Sequence, residues 1–409
     1  MRISGIEAGL LRELEQFEII DCHEHIGPES TRLRAHVDAF TFLSHYLEGD
    51  LAVAGMSRAH YDAMLDHSIS LEERWRLVAP YWRLVRHTSY ARAALLAMRR
   101  FYGYDDINEA TYAPLSEAMR RANTPGIYER VLRDACRIRT ALTLWDPSEL
   151  DTPLLTAVPL MLHDTETWET VSHPPFAPAA TIRELDDYVA VLRAYIERVR
   201  SQGAVGLKAV AGPYLPPDRQ AALEAFDSLR SGAVARLLEV NPLRAYLLDQ
   251  ALTMAGQCDL VVAVHTGYWG DFRKLDPLHV IPWLERHPEV RFDIFHLGYP
   301  WVRETLMLAK GFANVWLNLC WTHIISQHCA TQALAEALDL LPTNKILAFG
   351  GDYHYQVEKV YGHLVMARED VARALAWRIR ERRLTVEQAL AVAHRWFWEN
   401  PVELYRLRV

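Results

Sequence analysis

The chain has 409 residues, 50% of them hydrophobic and 23% charged, an ordinary globular composition with length for a large core and one inserted subdomain. A formal net charge of -8 argues against a nucleic-acid binder. No apolar run approaches the roughly 20 residues of a membrane span, and the N-terminal stretch mixes Glu and Arg through Leu and Ile, unlike a signal peptide. Cys22, Cys136, Cys258, Cys320 and Cys329 lack CxxC spacing and suit reduced thiols, so a cytoplasmic protein is expected.

The first β-type run, "FEIIDCHEH" (17–25), ends in Asp21, His23 and His25 and breaks at Gly27-Pro28. Side chains on a strand alternate faces, so His23 and His25 are expected to point at one spot. Residues 30–130 differ. They are rich in Arg, Ala, Leu and Trp with helical periodicity ("LEERWRLVAPYWRLVR") and show no strand. They are expected to form a helical insertion capping whatever residues 1–29 and 131–409 build, and His36, His45 and Tyr46 are its candidates to reach over the mouth.

From residue 138 onward, apolar runs alternate with amphipathic segments: "IRTALTLW" (138–145), "LLTAVPLML" (154–162), "AVGLKAV" (204–210), "DLVVAVHTG" (259–267), "RFDIFHLG" (291–298), "ANVWLNLC" (313–320) and "KILAFGGDY" (345–353). Several are continuously apolar, as parallel strands covered on both faces read. With the first run they make eight, and the expectation is an α/β protein, a (β/α)8 TIM barrel with a helical insertion after the first strand. No glycine-rich nucleotide fingerprint follows any run. Near the C-terminus, Thr385 and Gln388 have capping-box spacing.

The chemistry lies at the run ends: His23 and His25, Lys208, His265, His296 and Asp352. Taken singly, each has an ordinary reading; Asp352, for instance, could simply cap a helix. In a parallel barrel, however, all strand C-termini open on one face. Imidazoles plus a carboxylate converging there make a site for a divalent transition metal, and an open coordination position makes bound water nucleophilic near neutral pH. Loop residues after the strands are candidate substrate contacts: Tyr268, Trp269, Asp271, Arg273, Trp321, His323, Tyr353, His354 and Tyr355.

The pattern "DCHEH…GLK…VHTG…FHLG…GGDYHY" resembles the amidohydrolase superfamily. Within it, the pattern is similar to the branch of small-acid decarboxylases, lactonases and the amidohydrolase half of nodulin/glutamine-synthetase-like fusions, and the insertion to that of uronate isomerases. The resemblance implies that His23, His25, His265 and Asp352 hold a divalent metal, zinc foremost and manganese second. It gives Asp352 the further role of proton-shuttling base and has His296 steady the water or a developing oxyanion. Lys208 stands where binuclear relatives carry a carboxylated lysine, but many members of this branch use a single metal; one ion is expected, or two if Lys208 is carboxylated. The implied activity is hydrolysis of an amide, lactone or related C–N/C–O bond in a small carboxylate-bearing substrate by metal-bound hydroxide. The alternatives are decarboxylation or sugar-acid isomerisation at the same site, and a silent barrel acting as a binding module. The implied partners are a small molecule and further copies of the chain, with no nucleic acid or membrane.

Overall fold

A computed structural model describes residues 5–409. Eight strands run through it: β1 (Ile19–Glu24), β2 (Ile138–Thr143), β3 (Leu155–Ala157), β4 (Gly206–Val210), β5 (Val261–His265), β6 (Phe292–Ile294), β7 (Val315–Asn318) and β8 (Ile346–Leu347). They pair in chain order, β1 to β3 in one sheet and β4 to β8 in another, every pair parallel. Backbone hydrogen bonds stitch the sheets together along both seams. On one, Val205 N donates to Ala157 O (3.1 Å) and Lys208 N to Pro159 O (2.8 Å). On the other, Cys22 N donates to Phe349 O and Asp352 N to His23 O, both at 2.9 Å. The eight runs thus form a (β/α)8 barrel.

The strands are shorter than the apolar runs that announce them. β6, β7 and β8 stop before the residues of chemical interest, where the chain turns into left-handed backbone: φ is 64° at His296, 62° at Trp321 and 62° at Asp352. Such a conformation costs a non-glycine residue about 1–3 kcal/mol and persists only where the surroundings over-determine it.

Inside the barrel, Ile20, Cys22, Leu142, Val261, Ala263 and Leu347 form one apolar cluster, floored by Leu404 and Tyr405. β1 is bulged: Asp21 faces Ala141 and Glu24 faces Thr143, so three steps on β1 match two on β2. The extra residue flips the alternation. Cys22 therefore packs into the interior cluster while His23, its neighbour, stands over Phe295 with ring centroids 4.4 Å apart.

At the barrel floor Asp293 is fully buried, its Oδ2 accepting from Tyr405 Oη (2.7 Å) and Asn318 Nδ2 (2.9 Å). Burial pushes its carboxyl up to about 7 despite both donors. A carboxyl raised above its ordinary 3.8 contributes fully only below that value, and the contribution is lost as pH climbs toward 7. Asp293→Asn keeps an acceptor without the charge. It is expected to melt roughly 2 °C or more above the parent at pH 8, with the gap closing at about pH 4, as paired thermal melts would show.

Between β1 and β2 the chain is helical, including the helices Leu71–Val85, Ser89–Tyr102 and Tyr112–Ala122. These share a core of their own, with Phe40, Trp75, Trp82 and Met98 buried in it. They also lock onto the long helix Glu358–Arg380 that follows the β8 loop. Arg32 and Glu358, both buried, pair at 2.7 Å, and Tyr102 Oη donates to the same carboxylate oxygen. Lys359 Nζ donates to Ser44 O (2.8 Å). The Thr385/Gln388 capping box forms as its spacing suggests. Among the described residues, no helix is long and apolar enough to cross a membrane.

Candidate metal centre

His23 Nε2 lies 3.0 Å and His25 Nε2 3.1 Å from the same atom, Asp352 Oδ1. Ligand atoms of these three residues sit within 4.8 Å of one another, the one such group of His, Cys, Asp or Glu among the described residues. Burial by itself would raise Asp352, but the two imidazoles hold its carboxyl well below the usual range. Burial, reinforced by Lys208, keeps His23 well below 6.5 and so neutral. A neutral imidazole facing an ionised carboxylate is the pairing of protonation states that a divalent transition metal requires. The donor set fits such an ion.

The backbone around Asp352 is held from three sides. Gly351 N donates to Asp21 Oδ1 (3.1 Å), Tyr353 N to Glu24 Oε2 (2.6 Å), and Tyr46 Oη to the Asp352 carbonyl (2.8 Å). A Cβ on Gly351 would lie 1.9 Å from Glu24 Oε1, so only glycine admits the Glu24 side chain. Asp21 and Glu24 are both buried; burial pushes Asp21 up to about 7 and Glu24 well above its ordinary value, where the neighbouring Asp21 charge adds to the effect. Neither acid was picked out as functional from sequence. The available signal was two carboxylates inside an apolar strand, on either side of His23.

His265 stands outside the three-residue group, and its neighbour explains why. His296 Nδ1 faces the Cys320 carbonyl at 2.9 Å, which can only accept, so the proton sits on Nδ1. His296 Nε2 then accepts from His265 Nδ1 (2.9 Å). That leaves His265 Nε2 as a bare lone pair, buried and without a partner among the described residues. Burial, with Lys208, lowers His265 to about 3, so the relay is neutral. His296 lies 4.0 Å from Asp352 Oδ2 but spends its Nε2 on His265; the atom free to meet a ligand is His265 Nε2. Lys208 Nζ is 3.4 Å from His23 Nε2 and 3.7 Å above the Phe295 ring, and burial lowers its amine to about 8.

The candidate substrate residues divide. Trp321 is buried, stacked on Tyr46 (4.9 Å) and edge-on to His296 (5.2 Å). His354 packs 4.7 Å from His25, and both line a cleft of about 550 Å³ with Trp145, Leu160 and His163. Trp269 lies 6.3 Å from His265 and Tyr268 5.9 Å from Trp321, both largely exposed at the rim. Arg273 is not brought to the centre: its exposed guanidinium grips Asp271, two residues away, through two 2.8 Å bonds. His323 is buried behind the site between Asp370 Oδ2 and the Ala348 carbonyl, both at 2.9 Å. Of the insertion residues, Tyr46 reaches Asp352 and His45 packs 4.7 Å from His354, whereas His36 lies against His67 (5.1 Å).

A family model described as "Amidohydrolase" matches residues 158–407. Protein fluG of Emericella nidulans is 27% identical over 180 residues, 42% of this chain and 21% of that protein's own length. In shape, the chain is similar to uronate isomerase of Thermotoga maritima (15% identical, TM-score 0.77), with 98% of this chain and 97% of that one covered. It is also similar to a Lactobacillus casei protein provisionally described as a metal-dependent hydrolase (18% identical, TM-score 0.67), with 98% and 99% covered.

Proposed function

The chain belongs to the amidohydrolase family, and from that premise we propose that it is a metal-dependent hydrolase of an amide, lactone or related bond in a small carboxylate-bearing molecule. The observation that carries this is the convergence of His23, His25 and Asp352 on one point at the open end of the barrel. A single divalent ion, zinc first and manganese second, would be held by His23 Nε2, His25 Nε2 and Asp352 Oδ1. Bound there, it supplies Lewis acidity to a carbonyl and acidity to water. The protein's own groups do the rest. Asp352 Oδ2, opposite the oxygen that both imidazoles face, takes the proton of the attacking water and returns it to the leaving group. His265 Nε2, held neutral and aimed by His296, accepts a hydrogen bond from that water. Lys208, protonated over part of the neutral range, balances the charge on a substrate carboxylate or developing oxyanion.

A second reading, sugar-acid isomerisation, is favoured by one observation: His265 lies outside the ligand group while the chain matches a uronate isomerase over nearly its full length. The test loads the protein with zinc or manganese and offers amides, lactones and uronates, monitoring acid release, CO2 and NMR spectra of the products. Acid or amine release without CO2 is expected. Conversion of a uronate to its keto isomer with no acid release would overturn hydrolysis in favour of isomerisation.

A further inference from the structure

A second cleft, of about 430 Å³, opens beside the first, between the loops after β3 and β4 and the helix Pro242–Gln257. Its walls are mainly apolar, including Leu162, Tyr214, Leu215, Leu252 and Trp283. Its charged groups are mostly matched in pairs: Glu166 with Arg236 (2.5 Å), Glu239 with Lys274 (2.6 Å) and Asp249 with Arg286 (3.0 Å). Asp164 sits exposed on the rim and takes the Glu166 amide (2.7 Å). Arg244 is the exception. Half-buried in the wall, its guanidinium has no carboxylate partner among the described residues and gives one hydrogen bond, Nη1 to the His163 carbonyl (3.3 Å). A guanidinium has five N–H donors and a fork matched to carboxylate geometry, so most of that capacity faces an apolar cavity unspent.

The two clefts share Leu160 and His163, and the first contains His25. We propose that Arg244 binds the carboxylate of an elongated substrate whose apolar body fills this second cleft and whose reacting bond reaches His25. The span to His25 rests on the hydrolase reading above; carboxylate binding at Arg244 does not. The substrate class is therefore an acid with an apolar aliphatic or aromatic segment between its carboxylate and its hydrolysable bond. Such a ligand satisfies the guanidinium and desolvates the apolar walls together, which neither a neutral ligand nor a small dicarboxylate can do.

The probes are 4-phenylbutyrate and its neutral amide, titrated calorimetrically into the metal-loaded protein. The acid is expected to bind more tightly than the amide, and Arg244→Met to weaken the acid by about tenfold or more while leaving the amide unchanged. Val240→Trp, which narrows the cleft at an exposed wall position, should weaken both, independently of any effect of Arg244 on folding. Equal affinity for acid and amide, an unchanged affinity in Arg244→Met, or no binding of the acid by about 10 mM would each overturn the proposal. In Mn2+-loaded protein the bound acid's protons should relax faster than in a Zn2+ control; no such enhancement, with Arg244-dependent binding intact, overturns the span to His25. Failure to retain Mn2+ would instead overturn the hydrolase reading and leave the Arg244 result standing.

Discussion

Replacing His25 by alanine is expected to leave a folded chain that retains less than about 0.2 divalent ion per molecule. Turnover should fall by more than about a hundredfold, since even residues that only support metal ligands are worth 10- to 100-fold. The choice of His25 over His23 is physical. The His25 side chain is 30% exposed against 3% for His23. His23 also packs on Phe295 and touches Lys208, so its loss would open a cavity and mix a folding defect with a binding one. His354→Ala is the matched control, since it removes a ring packed 4.7 Å from His25 that lies outside the three-residue group. Metal analysis after gel filtration, with circular dichroism as the folding check, decides it. A full ion in His25→Ala would remove that residue from the centre.

Gly362→Ala should be the most damaging single methyl in the protein. A Cβ there would lie 1.9 Å from the Ala93 carbonyl oxygen and 2.9 Å from the Ala93 Cα, on the helix Ser89–Tyr102. Both obstacles are backbone, so no side chain can swing aside and the helices must part. Overpacking of this kind costs about 1–3 kcal/mol and sometimes more. For a large domain that is several degrees of melting temperature. The parting also strains the neighbouring contacts: Arg32 to Glu358, and Lys359 to the carbonyl of Ser44, two residues before Tyr46. Weaker metal binding should therefore accompany the lower melting point. A melting point within about 1 °C of the parent would show that the two helices are not held at this distance.

The strands were readable because a barrel strand is covered on both faces, so "DLVVAVHTG" announces itself by apolar content alone and β5 (Val261–His265) lies inside it. The convergence of His23, His25 and Asp352 was readable for a related reason: parallel strands place all their ends on one face, so position in a run translates into position in space. The strand ends were overestimated where the chain enters left-handed backbone, because His296, Trp321 and Asp352 are residues whose type does not advertise that conformation.

What local order dictated, then, was the barrel and the identity of the groups around its mouth. Folding alone assigned their duties. His265 and His296 look equivalent as run-ending histidines, but the Cys320 carbonyl orients one and thereby frees a lone pair on the other. Arg273 reads as a substrate ligand and is satisfied by Asp271 two residues away, whereas Arg244, unremarkable in the sequence, is left without an ionic partner among the described residues. Hydrogen-bond saturation depends on every neighbour in space, and most of those neighbours are far away along the chain.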